Sequence, residues 1–319
     1  MSVRSSTAGC TAVAALLVAG IVPGAAVASE TRATTSRAAA AACSVNVGSV
    51  TAGGGHNGKL ITVGSPPPAE KTYTGVFPAG AVSVASAVTQ DPDVTGYGFS
   101  SSGIVVMGST LYYGSYLVTE QGEVDRTRPT YQRIGGGWGG TTYFETTLYD
   151  GNPQLAKPMT QYALRADGTL SRWEMLRGTG GGYSIWSNKQ TATGFAAVKT
   201  MAMISQTLTY DTFLANTRSG ALYTIRLPRT SPLKPIVKKV RDSTWQGFDA
   251  LVAEKCGQYG TLLIGIDKET RSGHLYAVGH ANGTATVIQG LGKVAATFAD
   301  PVYFRRQQRQ GDAQMLFGE

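Results

Sequence analysis

Histidine and cysteine are almost missing from this chain: three of each in 319 residues. The histidines, His56, His274 and His280, show no H-x-x-x-H or HExxH spacing, so the pattern that would put two imidazoles on one zinc ion is absent. No metal and no cofactor is expected. Cysteines in a CxxC pair are also lacking, which removes thiol redox chemistry. Charge is sparse at 15%, and no long segment carries a 3.6-residue apolar stripe, which excludes a charged helical bundle. A G-x-S-x-G nucleophile elbow is absent. The glycine run Gly135–Gly140 leads into strand residues and opens no phosphate-binding helix. Among the 20 acidic residues, Glu145, Asp150, Asp167, Asp249, Asp267 and Glu269 are the carboxylates available for glycosidase chemistry, but spacing selects no pair. No catalytic residue is therefore assigned.

The only apolar run long enough to notice lies at the N-terminus. Arg4 precedes an uncharged stretch, Thr11 to Val22, and Ala26-Val27-Ala28 is a small-x-small cleavage pattern. Residues 1–28 read as a secretory signal cut between Ala28 and Ser29, too short to anchor the protein in a bilayer. Residues 29–42 are rich in Ala and Thr and read as a disordered lead-in to a domain over 43–319. Export leaves two cysteines, Cys43 and Cys256, and an even count in an oxidising compartment predicts one disulfide. Closing so long a loop restricts the unfolded chain by roughly 4–5 kcal/mol. Net charge is +8, with basic groups at Lys234, Lys238, Lys239 and Arg241 and at Arg305, Arg306 and Arg309. These form either a solvated face or a surface for acidic polysaccharide, cell-wall polymer or membrane. A nucleic-acid motif is lacking, because the aromatics do not interleave with the basic residues.

What the chain does have is glycine, 41 residues of it, and a phrase built on glycine. The phrase is a polar turn, Gly, any residue, an apolar residue and more strand. It recurs at Gly58, Gly122, Gly168, Gly220 and Gly273, at spacings of 64, 46, 52 and 53. A glycine followed by an aromatic precedes four copies: Gly96-Tyr97, Gly137-Trp138, Gly194-Phe195 and Gly247-Phe248. Phe298 stands 50 residues after Phe248 as a fifth landmark. Turns such as Ala166-Asp167-Gly168, Arg218-Ser219-Gly220 and Arg271-Ser272-Gly273 have hairpin chemistry. About four short strands per period of roughly 40–50 residues define a propeller blade. The chain begins with an unmatched phrase and ends without one, so N- and C-terminal strands are expected to share a blade and close a ring of five. Gly311 to Phe317 reads like the strand Gly260 to Gly265. A sixth blade is the alternative if residues 65–95 hide a degenerate unit.

The motifs Gly-Phe and Gly-Gly-Trp, followed by a turn and Gly-x-Leu-Tyr-x-Val, resemble the tachylectin repeat. The nearest copies are Gly247-Phe248 with Gly273-His274-Leu275-Tyr276-Ala277-Val278, and Gly194-Phe195 with Gly220-Ala221-Leu222-Tyr223-Thr224-Ile225. The resemblance covers roughly residues 95–280, in units longer and less uniform than that family's. It implies a five-bladed propeller that binds N-acetylated amino sugars between blades. Aromatic faces cover the flat CH faces of sugars while a few polar groups orient the hydroxyls, and repeated shallow sites add avidity. Trp138, Trp186, Trp245, Tyr223, Tyr276 and Asp267 are the candidate ligand-binding residues; packing between blades is the competing role for the aromatics. The expected protein is a secreted, monomeric, non-catalytic lectin-like propeller for glycan or cell-wall polysaccharide. A secreted polysaccharide hydrolase or lyase, and a scaffold or inhibitor for another exported protein, are the alternatives.

Overall fold

The computed structural model describes residues 43–65, 70–86, 88–92, 98–128, 130–147, 159–177, 183–308 and 315–319. The expected signal, its Ala28–Ser29 cleavage site and the lead-in lie outside these. The described residues form a five-bladed β-propeller of antiparallel sheets, with no α-helix among them. The first blade combines both ends of the chain: β1 (Ser44–Val50), β2 (His56–Thr62) and β3 (Lys71–Tyr73), with β21 (Val302–Gln308) as its inner strand. The second has an interrupted inner strand, β4 (Val82–Ala85) and β5 (Val88–Pro92), both pairing β6 (Phe99–Met107). Its outer strands are β7 (Thr110–Val118) and β8 (Tyr131–Gly136). The described residues between 65 and 95 thus supply the outer strand of one blade and the inner strand of the next, and no sixth blade occurs among the described residues.

The other blades run inner to outer in chain order. The third is β9 (Thr141–Thr147), β10 (Met159–Arg165), β11 (Leu170–Arg177) and β12 (Tyr183–Ala192). The fourth is β13 (Val198–Gln206), β14 (Tyr210–Thr217), β15 (Leu222–Pro228) and β16 (Ile236–Arg241). The fifth is β17 (Ala250–Cys256), β18 (Gly260–Asp267), β19 (Ser272–Val278) and β20 (Ile288–Lys293).

Apolar side chains on both faces of each sheet need partners, and the ring supplies them. The buried residues fall into five clusters, one per interface between neighbouring blades. One backbone bond repeats at every interface. The N–H groups of Phe77, Trp138, Phe195, Trp245 and Phe298 donate to the carbonyls of Gly54, Ser109, Gly168, Gly220 and Arg271, over 2.9–3.1 Å. Each acceptor sits in the hairpin turn of the preceding blade, at or beside a left-handed residue. Gly168 is needed twice over: its φ is +81°, and a Cβ there would run into the backbone of Ala196.

This bond corrects the repeat register. Gly168 and Gly220 occupy the equivalent turn. Gly58 lies inside β2, four residues after the true turn glycine Gly54, and Gly122 lies in the next hairpin, between β7 and β8. The counterpart of Phe195 is Trp245, not Phe248, and the second blade is led by Phe77; Gly96-Tyr97 lies outside the described residues.

Closure uses β21, which pairs with β1 from Val47↔Arg305 to Val50↔Val302. Cys43, just before β1, is bonded to Cys256 at the end of β17, a bridge across 213 residues that ties the first blade to the fifth. Residues 315–319 add no blade strand. They form an isolated bridge, Phe317 to Ser205, and wedge between the fourth and fifth blades. There the Gly318 N–H donates to Ile204, the Gly318 carbonyl accepts from Ala281, and the Glu319 carboxylate pairs with Arg226 at 3.1 Å.

Candidate functional site

The five leading aromatics occupy equivalent places but are not equally open. Phe77, Phe195, Trp245 and Phe298 are buried; Trp138, at the interface of the second and third blades, is half-buried. The reason lies in its neighbours. Trp173 on β11 and Trp186 on β12 fill the cleft with two more half-buried indoles. The ring centroids are 5.2 Å apart for Trp138–Trp173, 5.3 Å for Trp138–Trp186 and 5.5 Å for Trp173–Trp186, with Phe144 beneath.

A bulge in β12 brings polar groups to this wall. The pairing jumps from Arg172↔Gln190 to Glu174↔Ser187, leaving Asn188 at φ +50° and Lys189 unpaired in the ladder. Lys189 Nζ stands 5.4 Å from the Trp173 centroid. Asn188 Nδ2 donates to Glu174 Oε1 at 3.0 Å, and Gln190 Nε2 donates to Asn188 Oδ1 at 3.2 Å. The Trp186 indole N–H is enclosed with no acceptor. Aromatic faces, an amide pair, a carboxylate, an ammonium and a free indole donor therefore meet at one interface.

Of the six sequence candidates, Trp138 and Trp186 come together here. Trp245 and Tyr276 meet at the interface of the fourth and fifth blades, with centroids 4.8 Å apart. Trp245 is buried there, while Tyr276 is half-buried, and burial raises its hydroxyl pKa. Tyr223 stands apart on β15, paired across the sheet with Ala215 and Lys239. Asp267 caps the β18–β19 turn, accepting the backbone N–H groups of Glu269 and Thr270 at 2.9 and 3.1 Å. Burial opposes its charge, yet those bonds prevail and hold its carboxyl below the usual range. Trp173, Lys189, Glu174 and Asn188 were not selected from the sequence. The available signal was the glycine-rich run from Gly178 to Gly182 in the sequence, set between the stretches that carry Trp173 and Trp186.

A second concavity runs along the ring axis, about 80 Å³, bordered by Tyr143, Glu145, Lys268, Tyr303 and Arg305. The Tyr143 hydroxyl reaches Glu145 Oε2 at 3.3 Å, and burial, then Glu145, raises its pKa strongly. Asp249 is taken up by Lys199 at 2.9 Å. Ligand pockets for drug-sized molecules run to about 300–1,000 Å³, so a sugar chain does not fit the axial space. No group of three His, Cys, Asp or Glu residues suited to a metal occurs among the described residues. No helix among them is long and apolar enough to cross a membrane.

No protein-family model and no curated protein matches the chain. Among solved structures it is similar to the BP39L lectin of Burkholderia pseudomallei, at 15% identity and a TM-score of 0.39. The match covers 78% of this chain and 66% of that one, just under two thirds of its length.

Proposed function

We propose that this propeller is a secreted, non-catalytic glycan-binding protein whose principal site is the cleft between its second and third blades. The observation that carries the reading is the half-buried wall of Trp138, Trp173 and Trp186, edged by Glu174, Asn188 and Lys189. Apolar sugar faces pack on indoles, and the carboxylate–amide pair offers the acceptor and donor that fix hydroxyl or N-acetyl groups. A glycan containing amino sugars is the proposed ligand. Half-buried Tyr276, backed by the buried Trp245, supplies a second, weaker contact, so that a repeating cell-surface glycan gains by simultaneous engagement. Export through residues 1–28, cleavage at Ala28–Ser29 and a monomeric mature protein complete the proposal; the Cys43–Cys256 bridge suits an oxidising compartment.

The test is glycan-array binding of residues 29–319, followed by titration of the best ligand. Trp138→Ala and Trp173→Ala are expected to weaken binding by about tenfold or more while leaving the melting curve cooperative, because an aromatic anchor contributes about 1–3 kcal/mol. A blank array from folded protein, or unchanged affinity in both variants, refutes the reading.

A further inference from the structure

The interface between the first two blades encloses a cation with no counter-ion among the described residues. Arg306 on β21 is 7% exposed. Its side chain crosses the sheet where β1 and β2 carry glycine: a Cβ at Gly48 would sit 2.6 Å from Arg306 Cγ, and one at Gly58 would strike its Nη1. Two glycines thus clear the space for one arginine. Among the described residues its guanidinium acts on Tyr73, Tyr116 and His56, and on no carboxylate. Both Arg306 Nε and Nη2 are enclosed with no acceptor.

His56 adds a third unmet donor. Its Nδ1 lies 2.6 Å from the Tyr116 hydroxyl. With the phenol donating to Nδ1, the neutral ring carries its proton on Nε2, and that atom too is enclosed without a partner. Phe77 and Tyr116 meet His56 in T-shaped contacts, with ring centroids 6.0 and 5.6 Å away. Tyr73 and Tyr116 keep their protons, since burial raises both hydroxyls, Tyr116 to about 12. Among the described residues, no group therefore neutralises the guanidinium. A buried guanidinium with unfilled donors calls for an acceptor that carries negative charge.

We propose that this interface holds a small monovalent anion of the halide class, bound by Arg306 Nε and Nη2 and by His56 Nε2. Aromatic walls and three unfilled donors fit a single weakly hydrated ion better than a phosphate, whose several oxygens would need more donors than the interface offers. The ion lies over β2, outward of the closing strand β21, where Tyr116 of the second blade meets His56 of the first, so it also joins the first blade to the second.

The experiment uses crystals of the protein grown with sodium bromide, with anomalous diffraction recorded at the bromine edge. A peak within about 3.5 Å of the Arg306 guanidinium and His56 Nε2 is expected. In solution, bromide at about a hundredfold above its dissociation constant should raise the melting temperature by about 5 °C relative to gluconate at matched ionic strength. That difference should vanish in Arg306→Met. Absence of the peak, a water in its place, or an equal bromide effect in Arg306→Met would overturn the proposal. Should Arg306→Met fail to fold, the anomalous map of the unaltered protein decides alone.

Discussion

Cutting the Cys43–Cys256 bridge should cost stability through the unfolded chain. The bond closes a loop of 213 residues, for which the chain-entropy relation gives about 5 kcal/mol. The native side loses little. Residue 43 leads into β1, which is held along its whole length by seven pairings with β2 and, at one end, by four with β21. With unfolding entropy on the order of 0.6 kcal/mol per kelvin for a ring of this size, the double variant Cys43→Ser/Cys256→Ser should melt about 8 °C lower. Calorimetry of the bridged protein and the double variant, with reversibility checked by rescanning, measures the shift. Addition of reductant to the unaltered protein should reproduce it. A fall of under about 2 °C by both routes would refute the argument, because it would mean that the unfolded ensemble gains no freedom from losing the bridge.

Three further outcomes test the packing between blades. Asp211 is fully buried, taking Tyr162 Oη at 2.7 Å and Arg229 Nη2 at 3.0 Å; Asp211→Asn should cost about 3–5 kcal/mol in urea unfolding by stranding the Arg229 charge. Gly48→Ala should cost about 1–3 kcal/mol by driving a methyl into the Phe304 ring, whereas Gly135→Ala, with open space around it, should change the melting temperature little. His56 is held neutral, first by burial and then by Arg306, with its pKa lowered to about 3. The unfolded chain therefore binds a proton below pH 6.5 that the native state refuses. Stability should fall from pH 6.5 toward about 3 by up to about 1.4 kcal/mol per unit, and His56→Gln should flatten that part of the profile.

The ring was readable because blade turns obey local chemistry. Gly168 and Gly220 are forced by left-handed turns, so the sequence exposes them, and three in-phase units suffice to fix the period. The first two units misled because their glycines serve other ends. Gly58 makes room for Arg306, and Gly122 turns a different hairpin, so the same letter marks unrelated constraints. Arg271 holds the left-handed place with a side chain, which moved the apparent landmark to Gly273. Within the candidate cleft, Trp138 followed from its position in the repeat. The roles of Trp173, Asn188 and Lys189 depend on a β12 bulge and on contacts across a blade interface, which no periodicity within one strand encodes.

Pairing β1 with β21 also sets an order of events during synthesis. Val47 waits for Arg305, 258 residues later in the chain. At about 5–20 residues per second, the inner edge of β1 stays without its neighbour for roughly 13–50 s after it is made. For that interval the newborn chain carries an unprotected strand edge, open to pairing with another copy. The last strand thus ends a period of vulnerability as well as completing a blade, and lengthening the delay, by slowing translation between the fifth blade and β21, should increase aggregation without altering the finished protein.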